Sequence, residues 1–333
     1  MAGIRKLRKI QLGRETTAGT NVSASTIWRG TGVIDDNLEV IFVEEDVGYK
    51  SGVDRTMIPK VEAMLELEET PATFEQLPHI LDMGVEAATA SADGSGSAYI
   101  YNYPFAENTD TQTVKSYSIE GGDNTQEEEF SYGFCTGFNL SGAAGEAVTM
   151  SATVVGRQVS ADTFSSTATL PTVEEVLFSK GKLYIDDSDG AFGGTQKTST
   201  FRDFNLEVDT GWRAVYTGDG ELYFTFLKNV GAEITLDITF EHDSTAVAEI
   251  ANWRAETARL IRLDFLGSTV TTAGTSYGTK ALRIDLAGKW ESFEPLDDTD
   301  GNDTVTGTFR SRYNSTASEF AIIRVANLLA SLP

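Results

Sequence analysis

The strongest constraint on how this chain folds is an alternation of apolar and polar residues at every second position, repeated through most of its length. Val61-Glu-Ala-Met-Leu-Glu-Leu-Glu68 alternates apolar and acidic side chains over its second half, and Glu233-Ile-Thr-Leu-Asp-Ile-Thr-Phe240 alternates throughout. Leu38–Val43, Ala98–Tyr103, Val148–Val155, Glu221–Leu227 and Leu282–Leu286 carry the same texture. Thr, Val, Ile, Tyr and Phe dominate these runs, as a pleated, half-buried surface prefers. Turn residues separate them at 91–94, 121–124, 217–220 and 300–303. The chain therefore reads as mainly β.

Helical periodicity interrupts this pattern twice. Over Thr73–Met83, Phe74, Leu77, Ile80 and Leu81 recur at three and four, and Gly84 supplies a stop. Pro78 lies inside that run, so the helix is expected to be short or broken. A second helix is expected over Ser244–Ala258, capped by Ser244 or Thr245, with Val247, Ile250, Ala251 and Trp253 as its apolar stripe. A short helix over Val325–Ala330 is expected near the C-terminus.

The two halves present these signals in the same order. Val61–Leu67 matches Ala232–Ile238 at an offset of 171, and each is followed by a helix. Tyr99–Tyr103 then matches Arg259–Leu263, Lys115–Gly121 matches Lys280–Gly288, and 146–155 matches 303–313. Upstream, Ile27–Val47 matches Thr200–Tyr216 and Gln11–Thr20 matches Leu183–Thr195. This reads as a tandem duplication: a basic arm at 1–9, a first β domain at 10–165, a Ser/Thr-rich linker at 166–177 and a second β domain at 178–333.

Composition narrows the functions open to such a chain. Its 333 residues carry 50 Asp+Glu against 26 Lys+Arg, a net charge of −24, with 40% hydrophobic residues. That balance excludes a protein that grips nucleic acid through phosphate contacts and disfavours an anionic membrane surface. One cysteine, Cys135, permits neither an intrachain disulfide nor a Cys-based zinc site. His79 and His242 are the only histidines, which disfavours His-centred catalysis. The basic start has no apolar stretch of a secretory signal, so a cytosolic site of synthesis is expected.

The motifs that invite a chemical reading dissolve on spacing. Asp186-Asp-Ser-Asp-Gly190 and Asp297-Asp-Thr-Asp-Gly-Asn-Asp303 lack an EF-hand's first ligand, because Ile185 and Leu296 stand five positions before the glycine. Glu127–Glu129 and Glu44–Asp46 read as solvated loop tips. The glycine-rich 142–145 and 190–194 lack the lysine and spacing of a phosphate loop. Cys135 reads as a small buried hydrophobe, both histidines as structural or surface residues, and Trp28, Trp212, Trp253 and Trp290 as packing residues. No cofactor and no metal is implied.

Taken in order, these segments resemble the tail tube proteins of tailed bacteriophages, the long type with two tandem tube domains. The resemblance is carried by Gln11-Leu-Gly-Arg-Glu-Thr-Thr-Ala-Gly-Thr20, by Val61–Leu67 running into the helix at Thr73–Met83, and by Gly137-Phe-Asn-Leu-Ser141 followed by Val148–Arg157. Phe204–Val208, Ile234–Phe240 and Arg324–Pro333 continue it in the second half. The resemblance implies two tandem β-sandwich or barrel domains, each flanked by one helix, in a non-enzymatic structural subunit of the virion. It further implies three chains per pseudo-hexameric ring and rings stacked into a hollow tube in the host cytoplasm. Tape-measure, tail-terminator and tail-tip proteins would be its partners, and double-stranded DNA would pass without specific binding and with no membrane involved. An inner tube of a contractile tail belongs to the same class. A carbohydrate-binding or acidic β-sandwich hydrolase, or a β-rich adhesin, is the alternative class, and either would need a secretion route.

On this reading the acidity lines a conduit. Glu62, Glu66 and Glu68 in the first copy, with Glu233 and Asp237 in the second, are the expected lumen-facing acids; the alternative is an acidic outer face of the same strands. Arg5, Lys6, Arg8 and Lys9 form a concentrated basic segment expected to dock on the acidic surface of a neighbouring ring. The acidic hairpin at Val40–Val53 and the loop 107–129 are further candidate inter-ring arms.

Overall fold

The computed structural model describes residues 3–50, 53–107, 112–299 and 301–333. The alternation is realised as a mainly β chain with two α-helices. The first half contains β1 (Lys9–Arg14), β2 (Gly32–Leu38), β3 (Ile41–Glu44), β4 (Val53–Met57), β5 (Val61–Pro71), α1 (Leu77–Gly84), β6 (Tyr99–Pro104), β7 (Tyr117–Gly122), β8 (Glu127–Ala143) and β9 (Thr149–Gly156). The second contains β10 (Gly181–Asp187), β11 (Phe201–Asp209), β12 (Trp212–Val215), β13 (Phe226–Asn229), β14 (Glu233–Glu241), α2 (Ser244–Arg254), β15 (Arg259–Thr269), β16 (Thr279–Phe293), β17 (Asn302–Ser311) and β18 (Ala321–Asn327).

The strand pairings recur in order. In the first half β1 pairs β7, β7 pairs the start of β8, the rest of β8 pairs β9, β9 pairs β5, and β5 pairs β2, all antiparallel. In the second, β10, β15, β16, β17, β14 and β11 repeat the scheme. Hairpins β3–β4 and β12–β13 occupy the same step of each half. By these pairings Tyr117–Gly122 stands where Arg259–Thr269 does, and Glu127–Ala143 where Thr279–Phe293 does. The sequence match of Tyr99–Tyr103 to Arg259–Leu263, and of Lys115–Gly121 to Lys280–Gly288, is thus displaced by one strand. The cause is β6, an extra strand of the first half that pairs with β18 of the second.

The halves share one sheet and one core. β8 and β11 pair from Gly137↔Asp209 to Ala143↔Asp203, which makes a continuous sheet in the order β2-β5-β9-β8-β11-β14-β17-β16. Leu65, Val154, Leu140, Leu206, Leu236 and Phe309 point to one face and belong to a single apolar cluster that spans both halves. Each such side chain contributes about 1.5–3 kcal/mol by leaving water. The segment 166–177 does not hang between the halves. Thr169 bonds both Ser25 O and Ile27 N, and Val176 bonds Ala72 O and Val148 N at 2.8 Å.

Several local expectations are corrected. α1 starts at Leu77, so Pro78 sits in its first turn, where no amide donor is needed. α2 is capped by Asp243 rather than Ser244 or Thr245; its carboxylate accepts from Thr245 N and Ala246 N at 2.8 and 3.1 Å. It ends at Arg254, short of Ala258, because Glu256 turns left-handed with φ 53°. The expected helix over Val325–Ala330 does not form: Val325–Asn327 end strand β18, where pairing with both β16 and β6 overrides local propensity, and 328–330 are irregular. The expected strand Glu221–Leu227 is reduced to Phe226–Asn229, because Phe224 leaves the ladder to pack on Tyr132 and Phe134. The loop 107–129 contains core strand β7, with Tyr117 and Ile119 buried, and 108–111 lie outside the described residues.

Candidate functional site: an acidic sheet face

The alternation that buries one face of the long sheet turns the other to solvent. In β5, Val61, Ala63, Leu65 and Leu67 are buried while Glu66 and Glu68 are exposed and Glu62 is half-buried. In β14, Ile234, Leu236, Ile238 and Phe240 are buried while Glu233 is exposed and Asp237 half-buried. All five acids read from the sequence therefore share the sheet face opposite the core. Asp35, Asp203, Glu207 and Asp209 lie on it too and were missed. Asp209 is the register partner of Glu233, and Glu207 that of Thr235. Their signal was present, since Asp203, Asn205, Glu207 and Asp209 alternate with the buried Phe204, Leu206 and Val208.

Between the acids the face is hydroxyl- and amide-rich. Thr31 donates to Glu68 at 2.6 Å, Thr308 to Asp237 at 2.7 Å and Thr153 to Glu66 at 3.4 Å. Asn139 donates to Asn205 at 2.7 Å across the junction of the two halves. Three acids are partly offset: Glu62 by Lys60 at 2.8 Å, Asp209 by Arg213 at 2.6 Å and Glu233 by Arg310 at 3.2 Å. Burial alone would raise the Glu62 pKa, but bonds from Lys60, Tyr216 and Asn37 outweigh it and the pKa is lowered. Asp35, Glu66, Glu68, Asp203, Glu207 and Asp237 have no ion pair among the described residues.

The basic arm borders one end of this face: Arg5, Lys6, Arg8 and Lys9 line a depression together with Thr31, Val33 and Glu68. Ile4 N donates to Asn124 Oδ1 at 3.0 Å, Arg5–Leu7 forms a single 3-10 turn, and Lys9 Nζ sits 3.9 Å from the centre of the Phe164 ring. Among the described residues no carboxylate pairs with Arg5, Lys6, Arg8 or Lys9.

The remaining chemical candidates serve the fold. Asp186 closes its own turn by accepting from the amides of Gly193, Gly194 and Thr195. Cys135 is buried, which pushes its thiol up to about 12. His79 is buried with Nδ1 3.1 Å from the Tyr117 hydroxyl, and Tyr117 donates to Asp82, which Arg14 grips at 2.7 and 3.2 Å. Burial pushes the Asp82 carboxyl up, and Arg14 offsets part of that rise. Trp28, Trp212 and Trp290 are buried. Among the described residues no cluster of three or more potential metal ligands occurs, and no helix is long and apolar enough to cross a membrane.

The class that emerges is a mainly β protein whose distinguishing surface is one broad acidic sheet face. The family model for phage tail tube protein matches residues 6–317, and the chain belongs to that family. Its role is that of a structural tail tube component of the virion. No curated protein matches the chain.

Proposed function

We propose that three copies of the chain close head to tail into a ring, that rings stack into a tube, and that the acidic sheet face lines its bore. The β8–β11 pairing carries this reading, because it already joins one half to the next through a strand ladder. The two ends of the long sheet offer the same edges again. Among the described residues, β2 is laddered only to β5, and the last residues of β16 only to β17. Repeating the internal step between chains is a heterologous contact that closes on itself and removes both edges. In this ring the two halves are tandem tube domains, 10–165 and 178–333, from a duplication.

The bore's charge suits passage rather than capture. Double-stranded DNA carries about one negative charge per 1.7 Å, and retention requires Lys or Arg. Glu66, Glu68 and Asp237, with Asp203 and Glu207 across the junction, repel phosphates, and Lys60, Arg213 and Arg310 on the same face are each held by an acid of their own. The arm at Arg5–Lys9 docks on an acidic surface of the next ring, and tape-measure, terminator and tail-tip proteins bound the tube. Host-cytoplasm assembly and a non-enzymatic role fit the same reading.

The test is a particle carrying Glu66→Gln, Glu68→Gln, Glu207→Gln and Asp237→Asn together. Tubes of normal length should form by negative-stain microscopy, and single-particle ejection should slow severalfold. Unchanged ejection kinetics would remove the conduit role from this face.

A further inference from the structure

The two halves differ in how the sheet ends beyond β8 and β16. After β9, Ser160 and Ala161 pair with Glu129 and Glu128 at the start of β8. After β17, the strand at the same step is β18, which pairs with β16 from Ala281↔Ala326 to Leu286↔Ala321. A two-residue strand has become a seven-residue one, and it reads Ala-Ile-Ile-Arg-Val-Ala-Asn. A strand that long and apolar, with one side left unpaired, is a template for pairing with another chain.

β6 covers that side, pairing with β18 from Ile322↔Pro104 to Asn327↔Tyr99. It comes from the other half. The second half joins α2 to β15 directly over 255–258, whereas the first inserts 85–116 between α1 and β7. This insertion is fastened to the second half on both sides of β6. Ahead of it, the Asp93 carboxylate, 2% exposed, accepts from Ser276 N at 2.9 and 3.1 Å and from Tyr277 N at 2.7 Å. Ser97 N donates to Thr272 O at 3.0 Å beside it. After β6, Phe105 N donates to Ala321 O and Phe320 N to Glu107 Oε1, both at 3.0 Å. Tyr101 and Tyr103 are buried in the shared core, and the Tyr101 hydroxyl donates to Leu329 O at 2.8 Å. The outer side of β6 is a poor template in its turn. Among the described residues it ladders only at Tyr99 and Ile100, to Ala92 and Ser91; Asn102 is exposed, and Pro104 has no amide to donate.

We infer that β6, latched by Asp93, is an edge guard: the first half lends it to the second to keep β18 from adding strands of other chains, so that copies meet through other edges. The guard stands where the edge is long. Its counterpart at Ser160–Ala161 is too short to need one. The sealing of β18 holds whether or not rings form.

The full chain carrying Asp93→Ala loses the acceptor of three amide bonds, and its β6 and β18 amides should exchange hydrogen about tenfold faster than in wild type while those of β5 stay protected. It should also form irregular aggregates, distinct from tubes in negative stain, severalfold faster than wild type. Unchanged exchange overturns the latch, and faster exchange without aggregation overturns the guard. A second comparison needs no weakened latch. Asn102 and Arg324 are register partners, so Asn102→Cys with Arg324→Cys in the otherwise wild-type chain lets a disulfide tie β6 to β18. In dilute urea the oxidised chain should form irregular aggregates severalfold more slowly than the same chain reduced. Equal rates overturn the guard and leave the ring reading standing.

Discussion

Helices α1 and α2 follow equivalent strands of the two halves and meet opposite fates. Every residue of α1 is buried, whereas only Ala246 and Glu249 of α2 are. Their composition follows their cover. α1 reads Leu-Pro-His-Ile-Leu-Asp-Met-Gly, apolar nearly all round, and α2 reads Ser-Thr-Ala-Val-Ala-Glu-Ile-Ala-Asn-Trp-Arg. α1 is covered by the inserted β6, where the Tyr103 hydroxyl donates to Pro78 O at 3.1 Å. It is also covered by the entry to hairpin β12–β13; a Cβ on Gly84 would stand 3.0 Å from the Thr210 side chain and 3.1 Å from Cys135 Cβ. α2 has neither cover in its own chain. Equivalent strand order therefore does not produce equivalent burial. What one half gains from the rest of the chain, the other half leaves open.

The largest expected effect falls on the covered helix. Leu81→Ala empties a fully buried site and should cost about 3–4 kcal/mol, read as a lowered midpoint in urea unfolding. Retained stability would mean that α1 is not held as tightly as its burial states.

Next is a pH effect confined to the same helix. Burial, with the charge of Arg14 nearby, lowers the His79 pKa from 6.5 to about 4. The unfolded chain takes up the proton near 6.5 and the folded one near 4. Stability is therefore complete above pH 6.5 and falls by up to about 3 kcal/mol as pH drops to 4. Urea unfolding from pH 7 to pH 4 should show a smaller loss in His79→Gln than in wild type, and parallel curves would place the titration elsewhere.

The smallest effect belongs to α2. Val247 is 53% exposed, and Val247→Ala should leave the unfolding midpoint within about 0.5 kcal/mol of wild type. A large loss would show that α2 is covered in the free chain after all.

The acidic face was legible because it depends on one local property. A strand sends successive side chains to opposite faces, so Glu66, Glu68, Glu233 and Asp237 had to stand opposite Leu65, Leu67, Ile234 and Leu236 wherever the sheet went. The same rule covered Asp203, Glu207 and Asp209, whose strand had been quoted without its acids being read. Helix α1 was legible for a similar reason, with Pro78 tolerated in the first turn. The extra strand β6, the β-pairing of Ala321–Asn327 and the fold-back of Phe224 were not legible. Each is decided by a partner more than a hundred residues away or in the other half, where no local period reports it.

By itself, then, the sequence determined the β texture, the acidic face and the likeness to tail tube proteins. Only the tertiary structure decided that one ladder joins the halves, that the expected strand pairing of the first half is displaced by β6, and that linker 166–177 is stitched to the first half. The physical reason is range. Alternation and helical period are set by neighbours a few residues apart, whereas strand partners and the cover over a helix are set by which distant surfaces meet.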